Sequence, residues 1–221
     1  MAVNVFLFVP NIIDYFRVIF AFMSFYYMPH DHVKASVLYL LSGFLDAFDG
    51  HAARMLNQGS RLGHMLDQLI DRITTMCLCA ALCFFYPKYM LFFQFSMALD
   101  IFSHWIHVQS CMLAGKTSHK TIDLSGNFIL RHYYTNRTIL FVMCAANELF
   151  FCLLYLTYWT PGPILPLGPL SVGLWTLLLY LSAPLSFIKS GISIVHLVTA
   201  CQNLAIIDVA EREAEEKKKA G

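Results

Sequence analysis

The chain has 221 residues, of which 58% are hydrophobic and 13% are charged, and its mean hydropathy is +0.59. An ordinary soluble domain carries about twice this share of charge, so the composition predicts an integral membrane protein. The formal net charge of +1 supplies no strong basic field, which argues against a nucleic-acid partner. At about 20 apolar residues per crossing, the length allows roughly six helices and leaves no room for a separate soluble domain.

Six apolar segments are separated by polar residues, prolines and glycines. We predict spans at Ile12–Met28, Ala35–Leu56, Leu62–Tyr86, Met90–Leu113, Thr138–Trp159 and Leu170–Ile207. Their length and continuous apolar character favour helices, which satisfy their own backbone within lipid. The expected fold is an all-α membrane bundle of six transmembrane helices over residues 1–208, followed by a charged cytoplasmic tail over residues 209–221. The last segment contains Pro184 and is too long for one straight crossing, so we expect a kink or an extension beyond the membrane.

The basic residues are divided unevenly between the two sets of connections. Ten would share a side with the second turn, the loop after the fourth span and the tail: Arg54, Arg61, Lys116, Lys120, Arg131, Arg137, Arg212, Lys217, Lys218 and Lys219. Only Lys34 and Lys88 fall on the other side. Because cytoplasmic loops are enriched in Lys and Arg, this asymmetry predicts that both termini are cytoplasmic. The uncharged connector Pro161–Pro169 then faces the opposite side, as a stiff link.

The most informative stretch is LDAFDGHAARMLNQGSRLGHMLDQLIDR, which places four aspartates in two neighbouring spans. Asp46 and Asp49 are three residues apart and Asp67 and Asp71 are four apart, so each pair lies on one helical face. A turn near Asn57–Ser60 makes the two helices antiparallel, and the pairs then face each other. An unpaired aspartate at membrane depth costs at least about 2.5 kcal/mol, so a cation is required. Four converging carboxylates favour a hard divalent cation, Mg²⁺ or Mn²⁺.

A structural alternative is that these aspartates form ion pairs with three arginines of the same stretch, Arg54, Arg61 and Arg72. Buried ion pairs return little net stability, and small residues lie between the acids. Gly50 and Gly63 are each costly inside a helix, by about 1 kcal/mol relative to alanine, which suggests that something approaches the backbone closely there. A base or a diphosphate would use that space, with Arg54 as a phosphate donor.

These residues form one pattern, Asp46-x2-Asp49-Gly50-x2-Ala53-Arg54-x8-Gly63-x3-Asp67-x3-Asp71. The pattern matches the signature of the CDP-alcohol phosphotransferase family, so the chain resembles that family at eight positions with fixed spacing. The segments FLFVPN, SHKTIDLSGN, YYTNR and NELFFCLLYL extend the resemblance to the animal members that use inositol as the acceptor.

The resemblance implies a six-helix membrane enzyme of the endoplasmic reticulum that forms homodimers. The implied reaction converts CDP-diacylglycerol and myo-inositol to phosphatidylinositol and CMP. Carried over by position, Asp46, Asp49 and Asp67 would ligate two divalent cations. Asp71 would also contact the metal site and act as the base for the inositol hydroxyl.

The resemblance also implies a binding site for the lipid donor. Gly50, Ala53 and Gly63 would make room for the cytidine, and Arg54 would hold the diphosphate. Two polar residues of the first helix, Asn11 and Arg17, lie close to the same end and are further candidate contacts of the donor. For Arg17 two interpretations stay open: contact with the donor phosphates, or snorkelling and pairing with Asp14.

The acceptor pocket is predicted from the basic residues near the cytoplasmic side. Arg131 and Arg137 are the favoured inositol contacts, because basic side chains line that pocket in related enzymes. Lys189 is a third candidate, since its intramembrane position is otherwise unexplained. The alternative for the two arginines is ordinary positive-inside topology.

Two other functions remain as alternatives. The signature alone does not choose between inositol and another alcohol such as serine, glycerol phosphate or choline. Intramembrane acids also mark ion pathways, so a cation transporter or channel is the alternative from a different class. Asp100 and His104, four residues apart in the fourth span, predict a hydrogen-bonded pair or a second metal site.

Overall fold

The computed structural model describes residues 4–113, 130, 133, 135–167 and 170–220. Six long helices lie in this part of the chain: α1 (Val9–Tyr27), α2 (His32–Met55), α3 (Arg61–Phe85), α4 (Met90–Leu113), α5 (Arg137–Trp159) and α6 (Leu174–Ala220). Short 3-10 turns at Val5–Leu7 and Pro87–Tyr89 precede α1 and α4. The predicted all-α fold of six helices is confirmed. Within the described residues, three stretches combine the length and apolar composition of a membrane crossing: Arg61–Phe85, Thr138–Trp159 and Leu174–Lys219.

The second and third helices begin at side chains that cap them. Asp31 accepts a hydrogen bond from the Lys34 backbone N–H at 3.1 Å, and this bond holds the pKa of Asp31 below its usual range. Ser60 accepts from the Gly63 backbone N–H at 2.9 Å. Both caps satisfy a backbone donor that has no partner inside the helix. In the turn between α2 and α3, Asn57 has a φ of 52°, a left-handed value that asparagine tolerates. The turn therefore lies where the sequence predicts it.

The connection after α5 contains a small hairpin that the sequence analysis did not predict. Strands β1 (Ile164–Leu167) and β2 (Leu170–Gly173) pair antiparallel, with Ile164 opposite Gly173. A Cβ at Gly173 would lie 2.2 Å from the Pro161 carbonyl oxygen, so only glycine allows this approach. The predicted start of the last helix at Leu170 is wrong, because that residue belongs to β2.

The last helix, α6, runs for 47 residues with Pro184 in its interior. A single crossing needs about 20 residues, so the helix is longer than one crossing requires, and the predicted kink or extension beyond the membrane stays a prediction. The helix continues without a break through the charged residues of the predicted tail, whose side chains are exposed from Asp208 to Lys219. Residue 208 is therefore not a boundary of secondary structure, and its place as a domain boundary stays a prediction.

The chain divides into two compact units, Met1–Gln94 with Phe151–Leu179 and Phe95–Phe150 with Tyr180–Gly221. In the first unit, small polar side chains join α1 to α2: Ser24 Oγ donates to the Ala35 carbonyl oxygen at 2.7 Å, and Ser42 Oγ donates to the Arg17 carbonyl oxygen at 2.9 Å. The end of α5 is fixed in the same unit because the Tyr155 hydroxyl donates to the Met28 carbonyl oxygen at 3.0 Å. These bonds link α1 to α2, which carries Asp46 and Asp49, and α5 to the end of α1.

In the second unit, polar contacts join α6 to α4 and α5. Ser186 Oγ donates to Asn147 Oδ1 at 2.9 Å, and Lys189 Nζ donates to Asp100 Oδ1 at 3.0 Å. The His104 ring nitrogen Nδ1 lies 2.8 Å from the Asp100 carbonyl oxygen and 3.6 Å from its carboxylate. The His104 ring is thus hydrogen-bonded to the Asp100 backbone, while the Asp100 carboxylate accepts from Lys189; the two predicted alternatives for Asp100 and His104 stay predictions.

Candidate metal and substrate site

One buried arginine of α1 lies at the centre of the acidic cluster. The five carboxylates that contact it belong to Asp14 of α1, Asp46 and Asp49 of α2, and Asp67 and Asp71 of α3. Arg17 is only 2% exposed. Its Nη1 lies 3.0 Å from Asp14, 2.7 Å from Asp49 and 3.0 Å from Asp67. The predicted convergence of both aspartate pairs is therefore present in the structure.

The second terminal nitrogen of Arg17 contacts the remaining two signature aspartates. Nη2 lies 2.6 Å from Asp71 Oδ1 and also contacts Asp46 Oδ1. That Asp46 oxygen is buried and has no partner with hydrogen-bond geometry among the described residues. Arg72 is more distant, with 3.8 Å between its Nη2 and Asp71 Oδ2. The main counter-ion of the cluster is thus an arginine of another helix.

The four aspartates predict that a cation is present, but their spacing does not point to Arg17. The ion-pair alternative considered Arg54, Arg61 and Arg72, of which only Arg72 lies within 4 Å of an aspartate in the described residues. Arg17 is paired with Asp14, as one of its two interpretations predicts, and its contact with the donor phosphates stays a prediction. An arginine one turn after an aspartate in an apolar helix was the available signal, but its partners in α2 and α3 depend on how the helices pack.

The geometry and charge of the cluster fit a divalent cation. One carboxylate oxygen from each of Asp46, Asp49 and Asp67 lies within 4.8 Å of the other two. Five carboxylates and one guanidinium give a formal charge of −5 + 1 = −4. Carboxylate oxygens are the ligands that Mg²⁺ and Mn²⁺ prefer, and Asp46 Oδ1, which has an ion-pair contact with Arg17 but no hydrogen bond among the described residues, is one such oxygen. Asp71 lies beside this set of three and is not a member of it.

The space at Gly63 is filled by a side chain of α1. Asn11 is fully buried, and its Nδ2 donates to the Val5 carbonyl oxygen at 2.8 Å. A Cβ added at Gly63 would lie 2.5 Å from Asn11 Oδ1, an oxygen without a hydrogen-bond partner in the described part of the chain. Gly63 therefore admits the Asn11 carboxamide, and its predicted role in making room for the cytidine stays a prediction.

Gly50 has a different neighbour. A Cβ at Gly50 would lie 3.5 Å from Arg54 Nη1, an ordinary contact, so the Arg54 guanidinium folds back over Gly50 within α2. Gly50 and Ala53 are half-buried and Arg54 is exposed. A cationic group on an accessible face beside the acidic cluster is suited to contact a phosphate group.

Of the three predicted inositol contacts, only Lys189 has a side chain within the described part of the chain. Arg131 lies outside the described residues, and Arg137 is the first residue of α5, with a side chain that is likewise outside the description. Lys189 lies in the second unit, where Asp100 is its counter-ion. Their role toward inositol stays a prediction.

Comparison with known proteins adds independent evidence. A sequence model of the CDP-alcohol phosphatidyltransferase family matches residues 7–200. The human, rat and mouse proteins named CDP-diacylglycerol–inositol 3-phosphatidyltransferase are each 56% identical to this chain over 209 residues, covering 95% of the chain and 96% of the relative. No solved structure gives a significant match. The family match spans most of the chain and includes the whole acidic signature, and therefore this protein belongs to the CDP-alcohol phosphatidyltransferase family.

Proposed function

We propose that the chain transfers a phosphatidyl group from CDP-diacylglycerol to myo-inositol, giving phosphatidylinositol and CMP. The observation that carries the proposal is the convergence of Asp46, Asp49 and Asp67, whose oxygens lie within 4.8 Å of one another. The choice of inositol is supported by the 56% identity to mammalian relatives that carry this activity in their names.

Two divalent cations, Mg²⁺ or Mn²⁺, are proposed to be held by Asp46, Asp49 and Asp67, with Asp71 beside them. The formal charge of −4 on the cluster equals in magnitude the charge of two such ions. When bound, the ions neutralise charge on the donor diphosphate and on the departing CMP. The carboxylates would in turn hold the ions near the C-terminal end of α2 and the N-terminal end of α3, where the donor head would enter.

Asp71 is the proposed base. It lies within the cluster but outside the three mutually close ligands, and its side chain is 37% exposed, so an inositol hydroxyl can reach it. Asp71 accepts the hydroxyl proton while that oxygen attacks the phosphorus that carries diacylglycerol. The bond from this phosphorus to the CMP oxygen breaks, and CMP leaves with the electron pair.

The remaining predicted contacts are kept as parts of this proposal. Arg54 would contact the diphosphate, beside Gly50 and Ala53 of the same helix. Asn11 and Gly63 would act as a packed pair at the edge of the donor site. The acceptor would be held by basic side chains, proposed to be Arg131, Arg137 and Lys189.

We further propose that the protein is a homodimer in the endoplasmic reticulum membrane, with both termini and the site on the cytoplasmic side. The excess of Lys and Arg in the second turn, the loop after α4 and the tail supports this orientation. A cytoplasmic site is suited to both substrates, because the donor keeps its acyl chains in the bilayer while its head and inositol are water-soluble.

The test measures CMP release from CDP-diacylglycerol by the purified protein with Mg²⁺ or Mn²⁺. We expect release with myo-inositol and little with serine, glycerol phosphate or choline. Asp71→Asn should lower turnover by at least about a hundredfold, the lower range for loss of a general base, with donor binding retained. Asp208→Asn, an exposed change of the same type in α6, serves as the control. Release with a different alcohol would reject inositol, and cation flux across liposomes without CMP release would reject the enzyme.

A further inference from the structure

The buried arginine of α1 lies outside the family signature, yet it contacts all four signature aspartates. We propose that Arg17 is a tethered counter-ion that holds these aspartates together and competes with divalent cations for their oxygens. This inference rests on the proposed metal site and assigns to it a residue that acts through the metal ligands.

Each terminal nitrogen of Arg17 joins one carboxylate of α2 to one of α3. Nη1 lies 2.7 Å from Asp49 and 3.0 Å from Asp67. Nη2 contacts Asp46 and lies 2.6 Å from Asp71. Like charges at this separation repel strongly unless a cation lies between them. The guanidinium fork therefore fixes the spacing of α2 and α3 at the level of the signature.

The position of Arg17 is set from outside the signature. Asp14, one turn earlier in α1, is 1% exposed and lies 3.0 Å from Nη1. The Arg17 carbonyl oxygen accepts from Ser42 Oγ at 2.9 Å, which ties α1 to α2 at this residue. The backbone of Arg17 and its contact with Asp14 are thus fixed within α1 and α2. The same guanidinium then contacts the four signature aspartates and holds them together.

A divalent cation and Arg17 need the same oxygens. The three mutually close carboxylates of the proposed metal site all belong to the set that contacts the guanidinium. Two cations that share these ligands repel each other, so binding of the ion requires Arg17 to weaken its contacts. Loss of the Arg17 charge should then have two opposite effects: lower stability without metal and higher affinity for metal. A purely structural arginine would give only the first.

The experiment follows thermal unfolding of the detergent-purified, EDTA-treated protein during Mn²⁺ titration, with bound Mn²⁺ measured separately by electron paramagnetic resonance. For Arg17→Gln we expect the metal-free Tm to fall by at least about 5 °C. The Mn²⁺ concentration for half-maximal binding should fall by at least about tenfold. Arg61→Gln removes an exposed charge at the start of α3. Among the described residues Arg61 forms no ion pair with the cluster, so this substitution should change neither quantity by a comparable amount.

The outcomes separate this inference from the proposed function. Absence of Mn²⁺ binding in the unsubstituted protein would overturn the metal site and this inference together. Normal binding in that protein with an unchanged or higher midpoint in Arg17→Gln would overturn only the competition. If Arg17→Gln does not fold without metal, preparation with saturating Mn²⁺ should restore it, since the ions replace the lost charge; failure to do so would overturn the proposal. Arg17→Lys, which keeps the charge and loses the fork, should give an intermediate midpoint.

Discussion

Gly50 and Gly63 both belong to the signature, but the side chains next to them differ. At Gly63 a Cβ would lie 2.5 Å from Asn11 Oδ1, which is buried between α1 and α3. At Gly50 the nearest atom to such a Cβ is 3.5 Å away, at the end of the exposed Arg54 side chain. Replacement of Gly63 by a larger residue should therefore destabilise the fold. At Gly50 the size of the side chain is limited instead by the ligand that the site binds.

We expect Gly63→Ala to destabilise the protein by about 1–3 kcal/mol, the usual cost of overpacking. Gly50→Ala should leave the Tm unchanged or raise it, because alanine is more favourable than glycine in a helix by about 1 kcal/mol. Thermal unfolding in detergent measures both. Asn11→Ala in the Gly63→Ala background should recover part of the loss, as a double-mutant cycle requires for residues in contact. Equal Tm values for the two single alanine variants would contradict this assignment of the close contact.

At the level of single residues, helical spacing predicted the acidic cluster and could not predict its counter-ion. Asp46 with Asp49, and Asp67 with Asp71, repeat at three and four residues, so their common faces follow from local geometry. The contacts of Arg17 with α2 and α3 depend on the position of α1 along its neighbours. That register comes from packing between distant segments, for which a single sequence has no periodic signal.

Among the helices, α4 and α6 are joined by a buried charge pair. Lys189 Nζ and Asp100 Oδ1 are 3.0 Å apart, with side chains 9% and 14% exposed. Removal of one member of a buried pair leaves an uncompensated charge, which costs about 3–5 kcal/mol. The pair thus gives Lys189 a structural reason to lie in a membrane helix, in addition to the proposed acceptor contact.

The two roles of Lys189 can be separated. Asp100→Asn should lower the Tm clearly, and the double variant Asp100→Asn/Lys189→Met should be more stable than Asp100→Asn alone, because the unpaired charge is gone. If Lys189 also contacts inositol, the double variant keeps a KM for inositol raised by about tenfold or more, as expected for loss of a charge-assisted hydrogen bond. A normal KM in the stable double variant would remove Lys189 from the acceptor site.

The sequence predicts the positions of most helices but not the short β-hairpin before α6. Helices α2 to α5 begin and end close to the predicted spans, because prolines, caps and polar turns interrupt long apolar runs. The hairpin of β1 and β2 was not predicted, since its second strand, LSVG, is as apolar as the helix that follows and carries no strand period of its own. Short apolar runs are ambiguous between strand and helix. Here the segment forms a strand because it pairs with β1.

For the molecule as a whole, the six crossings predicted from the sequence would place both termini on one side of the membrane. The same orientation follows from the asymmetric distribution of Lys and Arg. The turn between α2 and α3 and the turn between α3 and α4 then lie on opposite sides. Each turn offers an exposed residue that can report its side: Gly59, where a Cβ would meet no atom within 4 Å, and Lys88.

We expect a cysteine at Gly59 to react with a membrane-impermeant maleimide in sealed vesicles that expose the cytoplasmic face. A cysteine at Lys88 should react only after the vesicles are opened with detergent. The unsubstituted protein gives the background from its own thiols. Equal labelling of both positions in sealed vesicles, or labelling of Lys88→Cys alone, would reverse or reject the proposed orientation.

The place of Arg17 in the chain has a consequence for biosynthesis. It precedes Asp49 by 32 residues and Asp71 by 54 residues, so the ribosome delivers the first helix well before most of its electrostatic partners. Asp14 arrives with it, and together they form a local pair that enters the bilayer without net charge. The acidic hairpin then emerges next to a positive group that is already in place. Chain order thereby gives a segment with four anionic side chains one cationic side chain to contact as it leaves the translocon.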